Sequence, residues 1–162
     1  MNAFNMQILF LCTGNSCRSI IAEATFNHLA RKDWRAMSAG SHPTGEIHPR
    51  SLALLQQKGI AIEGYHSKSW DALPVTPDIV ITVCSNAAGE SCPAYLGNVL
   101  RAHWGVEDPA KATGDEMQIQ AGFEKAYYLL KLRIEAFLKL DESILGNREA
   151  LQTALQNIGE QT

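Results

Sequence analysis

The apolar run Met6-Gln7-Ile8-Leu9-Phe10-Leu11 passes directly into Cys12-Thr13-Gly14-Asn15-Ser16-Cys17-Arg18-Ser19, and a helical pattern follows. A buried strand that ends in a polar loop and reopens as a helix is half of a βαβ unit. Such units commit a chain to a parallel sheet covered by helices. The alternation continues downstream. The first helix runs from about Ser19 to Arg31, with Ile20, Ala24 and His28 on one row and Ile21 and Leu29 on the next. A second strand is predicted over residues 34–38, then a loop from Ala39 to Gly45. Pro49 opens a helix that reaches about Lys58, where Gly59 stops it. The β-branched run Asp78-Ile79-Val80-Ile81-Thr82-Val83 reads as a strand buried on both faces. A weaker strand covers about Val99 to His103. A long helix from about Asp115 to Leu140 buries Phe123, Tyr127, Leu130, Ile134 and Phe137. Residues 143–159 form one more helix, interrupted or begun near Gly146-Asn147.

Length and charge narrow the class. A chain of 162 residues with 46% hydrophobic and 19% charged residues is expected to fold as one globular domain. Residues 1–140 would form its body and residues 141–162 a helical extension of the same domain. The net charge of −3 gives no footprint for nucleic acid. The first apolar run is too short for a membrane span or a leader core, so no membrane role and a cytoplasmic location are expected. A monomer is expected. In the cytosol, structural disulfides are rare. The four cysteines therefore read as catalytic, metal-binding or inert rather than as staples.

The first loop is suited to one kind of ligand. A loop at a helix N-terminus aims backbone N–H groups inward, and the helix dipole adds positive potential. A tetrahedral oxyanion fits such a nest, built here from Thr13, Gly14, Asn15, Ser16, Cys17, Arg18 and Ser19. Arg18 can clamp two of its oxygens. Cys12 would lie at the floor, where the same field is expected to lower its pKa and make it a thiolate nucleophile. Cys17 is expected to point into the core. The plainer alternative is a βα turn that buries a cysteine, with Arg18 as a surface charge.

Sites in open parallel sheets form beyond the carboxyl ends of the strands. Cys12, Cys84 and Asp108 each follow a predicted strand, so they are expected to converge. Asp108, before Pro109, is a candidate general acid. Its plainer reading is a turn residue before Pro109 or the cap of a short helix, and Glu107 is the competing carboxylate. In Cys84-Ser85-Asn86-Ala87-Ala88-Gly89-Glu90-Ser91-Cys92-Pro93, seven small or polar residues separate two thiols. Cys12, Cys84 and Cys92 in series would make a thiol relay. Two unrelated thiols, or a zinc site of Cys12, Cys17, Cys84 and Cys92, are the other readings of this segment. The five histidines show no metal-ligand spacing.

Cys12-x5-Arg18-Ser19 after a strand resembles the loop of the low-molecular-weight protein tyrosine phosphatase superfamily. The chain is more similar to its arsenate reductases than to its phosphatases. Ser38-Ala39-Gly40, His48-Pro49, Gly59-Ile60, Val83-Cys84, Cys92-Pro93 and His103-Trp104-Gly105 leading to Asp108-Pro109 extend the resemblance in order. The phosphatases usually carry Pro after the loop serine and an aromatic residue after Asp-Pro. Here Ile20 and Ala110 stand there. The resemblance implies an α/β fold with a small four-stranded parallel sheet flanked by helices on both faces. It implies Cys12 as nucleophile, Arg18 as oxyanion clamp, Asn15 and Ser19 as loop-shaping groups, Asp108 as general acid, and Cys84 and Cys92 as resolving cysteines. Arsenate would be the substrate. No cofactor is expected beyond an external thiol reductant, thioredoxin by preference or glutaredoxin with glutathione. Some members bind potassium near the loop through an acidic residue. Lys68 stands in that region here, and no metal is expected. A tyrosine phosphatase and a non-catalytic oxyanion-binding or redox-sensing module are the alternatives.

Overall fold

A computed structural model describes residues 5–84 and 99–160. Cys92 and the rest of its loop lie outside the described residues. Four parallel strands form one sheet in the order β2-β1-β3-β4, with β1 at Met6–Leu11, β2 at Trp34–Ala39, β3 at Ile79–Thr82 and β4 at Leu100–His103. The helices packed around it are α1 (Arg18–Leu29), α2 (Pro49–Gln57), α3 (Glu116–Leu138), α4 (Glu142–Leu145) and α5 (Arg148–Gly159).

This order decides where a site can form. From β1 the chain crosses to β2 on one side and later returns to β3 on the other. The loops that leave β1 and β3 therefore separate at a switch point, and a crevice opens between them. Leu11 pairs with Thr82 in register, so Cys12 and Cys84 emerge side by side. β4 pairs Thr82 with His103, which brings the segment after β4 to the same edge.

Local chemistry explains the elements. His48 caps α2, its Nδ1 accepting the Arg50 N–H at 3.1 Å, and Pro49 occupies the first turn where no N–H is needed. Asp115 and Gln118 form a reciprocal capping box that starts α3. In the core, Phe10 meets Phe26 and Trp104 at ring separations of 6.1 Å each. Phe137 of α3 packs on Phe26 at 6.0 Å and Trp34 at 5.5 Å.

α1 is not a one-sided amphipathic helix: every residue from Ser19 to Phe26 is buried, because α1 lies against the sheet, α2 and α3. His28, on the row of Ile20 and Ala24, is exposed beyond that stretch. The tail is interrupted at Gly146-Asn147, as its sequence suggests, and splits into α4 and α5. Asp141 and Asn147 each cap a fresh start, with their side chains accepting from Ile144 and Ala150 N–H groups at 3.1 and 3.0 Å.

Candidate active site

The loop of residues 12–18 is held from outside by its carbonyls. Thr13 O accepts from the His42 N–H at 3.0 Å, Gly14 O from Thr44 at 3.0 Å, and Ser16 O from His48 at 3.1 Å. In a trans peptide the next N–H points the opposite way, so outward carbonyls turn Gly14, Asn15 and Cys17 N–H groups into the loop. The Gly14 N–H reaches the sulfur of Cys12. Gly40 passes beneath this turn. A Cβ there would stand 2.3 Å from Thr13 O and 2.6 Å from Cys12 O, so only glycine fits.

A buried polar knot fixes the loop from the other side. Asn15 has φ 47°, a left-handed conformation that Asn tolerates better than most residues. Its Nδ2 donates to Ser19 Oγ at 2.8 Å and to Ser38 Oγ at 2.9 Å. Its Oδ1 accepts the Lys68 N–H at 2.8 Å. Ser38 in turn donates to Glu23 Oε1 at 2.6 Å. Burial pushes the Glu23 carboxyl up from its ordinary range. The Ser38 hydroxyl and the charges of Lys68, His66 and Arg35 act against that. Sequence reasoning missed Glu23 and the role of Ser38. A glutamate within an apolar helical row carries no local mark of its partner, and Ser38 is a single small residue in a strand.

The predicted convergence at the strand ends is present. Cys12 and Cys84, both buried, have their thiols in hydrogen-bond contact. Thr13 N–H also donates to Cys84 Sγ at 3.4 Å. Arg18 Nη2 lies 3.4 Å from Asp108 Oδ2, and Arg18 Nη1 donates to Val106 O at 3.0 Å. Arg18 Nε is buried with no partner among the described residues. Asp108 also caps the short turn Pro109–Lys111, its Oδ1 accepting the Ala110 N–H at 3.0 Å. The capping and acid readings of this residue are thus compatible.

Cys12 itself departs from expectation. Its pKa is raised, not lowered. Contact with the Cys84 sulfur is the main cause and burial the next, while Arg18 and the Gly14 N–H pull the other way. The loop field is present, but the Cys84 sulfur beside Cys12 and the burial of both outweigh it. The contact and the burial hold Cys12 toward its protonated form, against Arg18 and the Gly14 N–H. Burial also pushes the Cys17 thiol up, against the hydroxyls of Ser51 and Ser16, which fits its expected packing role.

A groove of about 1160 Å³ opens on the Cys84 side of the site. Arg18, Cys84 and Asp108 line its inner end, and Lys125, Leu129 and Arg133 of α3 line its far wall. Among the described residues no group of three His, Cys, Asp or Glu side chains is arranged to hold a metal. No helix among them is long and apolar enough to cross a membrane.

Comparison with known proteins agrees with this geometry. Residues 7–152 match the family model described as low molecular weight phosphotyrosine protein phosphatase. An arsenate reductase of Bacillus subtilis (strain 168) is 36% identical over 134 residues, covering 82% of this chain and 95% of that protein. A solved arsenate reductase in its phosphate-binding state superposes with a TM-score of 0.69 at 26% identity, over 82% of this chain and 96% of that one. The thioredoxin-dependent arsenate reductase of Corynebacterium glutamicum superposes with a TM-score of 0.56 at 31% identity, over 78% of this chain and 58% of that one. The chain belongs to the low molecular weight phosphotyrosine protein phosphatase family and, within it, groups with proteins named arsenate reductases.

Proposed function

We propose that this protein reduces arsenate to arsenite, with Cys12 as nucleophile and a relay through Cys84 and Cys92 to a dithiol protein of the thioredoxin class. The observation that carries the reading is the contact between the Cys12 and Cys84 sulfurs beneath an oxyanion loop. A phosphatase needs the loop, the arginine and the acid. It has no use for a second thiol touching its nucleophile.

Each step balances with the groups at hand. Arsenate enters the loop and takes the guanidinium of Arg18, whose buried Nε is an orphan donor suited to an oxygen of the anion. The Cys12 thiolate attacks As(V). One arsenate oxygen leaves as water, with Asp108 delivering a proton; such help contributes about 10²–10⁴-fold. The Cys84 sulfur then attacks the Cys12 sulfur. The S–As bond breaks, its electron pair passes to arsenic, and arsenite departs from a Cys12–Cys84 disulfide. The geometry suits this order, since the Cys84 sulfur already lies against the sulfur it attacks. Cys92 attacks Cys84 and frees Cys12 as a thiolate. An external dithiol returns two electrons to the Cys84–Cys92 disulfide. A thioredoxin-dependent structural neighbour supports that choice of donor.

Single turnover tests the core of the reading. Pre-reduced protein mixed with arsenate and no external thiol should release one arsenite per chain, and Cys12→Ser or Cys84→Ser should release none. In steady state with NADPH and thioredoxin reductase, turnover should need thioredoxin and all three cysteines. Turnover with glutaredoxin and glutathione that ignores Cys92→Ser would remove the relay and keep the reductase. Hydrolysis of an aryl phosphate with no arsenite would overturn the reading.

A further inference from the structure

The general acid is carried by a short segment, Trp104-Gly105-Val106-Glu107-Asp108, that leaves β4 and turns over the site. Several groups hold its backbone. Val106 N–H donates to Val83 O at 3.1 Å. Arg133 Nη1 donates to Gly105 O at 2.9 Å and Arg18 Nη1 to Val106 O at 3.0 Å. The Arg18 anchor is conditional, because a guanidinium that turns to clamp an oxyanion must loosen its other bonds.

The remaining support comes from the C-terminal helix. Trp104, 1% exposed, donates its indole N–H to Leu155 O of α5 at 3.0 Å. Gln152 of α5 meets both polar groups of Arg101 on β4: its Oε1 accepts from the Arg101 N–H at 3.4 Å and its Nε2 donates to Arg101 O at 2.6 Å. Gly159 presses on the junction itself. A Cβ there would stand 2.4 Å from His103 O and 2.8 Å from the Trp104 ring. α5 thus grips the two residues from which the acid segment springs. Leu155 and Gly159 lie beyond residue 152, where the family match stops.

We infer that α5 is a positioning element for catalysis: through Trp104 and His103 it sets the direction in which Asp108 is presented. The inference rests on the reading of Asp108 as the acid. Asp108 touches substrate, and α5 acts only through it. Once Arg18 engages the anion, the Val83 and Arg133 bonds hold the middle of the segment, and the Trp104–Leu155 bond and the Gly159 contact hold its root. A misplacement of about 1 Å in such a group can cost up to about 10²-fold in rate.

The test is a double-mutant cycle on single-turnover arsenite release, using the full chain. Gly159→Ala forces α5 away from His103, and Trp104→Phe removes the indole donor. Each should slow arsenite release about tenfold. Neither should change the inhibition constant of inorganic phosphate, which reads the anion loop alone. In an Asp108→Asn background neither should slow the reaction further. Thr153→Ala, on the exposed side of α5, should match wild type. Thermal melting checks folding, and Gln152→Ala carries the same cycle if Gly159→Ala does not fold. Equal slowing with and without Asp108, weakened phosphate binding, or an unchanged rate would overturn the inference. An Asp108→Asn variant as fast as wild type would instead overturn the acid reading beneath it.

Discussion

At the scale of the residue, the site is governed by a contact that raises rather than lowers the pKa of Cys12, the proposed nucleophile. The Cys84 sulfur is the largest cause of that rise and Arg18 opposes it. Removing Cys84 should therefore let Cys12 ionise at lower pH, and removing Arg18 should push its ionisation higher. Alkylation of Cys12 by iodoacetamide across pH reads both directly. The midpoint should fall in Cys84→Ala and rise in Arg18→Ala. An unmoved midpoint in Cys84→Ala would mean that the two sulfurs are not coupled. That Cys12, Arg18, Cys84 and Asp108 come together was legible from the chain, because Cys12 and Cys84 closely follow strands, Arg18 opens a helix and Asp108 lies on the segment after the fourth strand. The sign of the Cys12 shift was not. It depends on a neighbour 72 positions away whose distance is set by the β1–β3 register, and a local motif shows only the loop field.

Elements are joined at the site by a knot of side chains rather than by the sheet alone. Asn15 ties the loop to α1 through Ser19, to β2 through Ser38, and to the segment before Trp70 through the Lys68 N–H. Asn15→Ala would leave Ser19, Ser38 and the Lys68 N–H short of a partner, with alanine in a left-handed conformation. Each stranded buried group costs about 1–3 kcal/mol. A loss of about 2–4 kcal/mol is expected, together with weaker phosphate binding, because the loop would lose its ties to α1, to β2 and to the Lys68 backbone. Thermal melting and phosphate competition measure the two effects. Intact phosphate affinity in a destabilised variant would show that the knot serves stability alone. Strand and helix positions were mostly legible, since β-branched runs and Pro49, Gly59 and Asp115 mark their ends. The knot was not, because Glu23, Ser38 and Lys68 meet only after β2 and the loop beyond it have packed.

Over the whole molecule, one edge of the sheet depends on the last helix. β4 is the outermost strand on its side, and such an edge offers unpaired backbone groups to any neighbouring chain. α5 covers it, burying Leu151, Leu155 and Ile158, and Gln152 takes up the N–H and carbonyl of Arg101. The same contacts bury Trp104, whose ring packs on Phe10 of the central strand. The edge cover and the core are therefore continuous, and weakening one should be felt in the other. Leu155→Ala is expected to cost about 2–5 kcal/mol, as for other fully buried leucines. A chain ending at residue 140 should fare worse in two measurable ways. Its tryptophan emission should shift to the red as Trp104 meets water. Its sedimentation should become concentration-dependent as open β4 edges pair. The ion pairs that tie α2 to α3, Arg50 with the exposed Glu116 and the half-buried Lys58 with Glu124, lie away from β4 and cannot compensate for its lost cover. A shortened chain that stays monodisperse with unshifted emission would show that β4 and Trp104 are held by the sheet and α3 alone. The helix would then be dispensable to the body of residues 1–140, and its grip on the acid segment would have to be explained without its role in closing the edge.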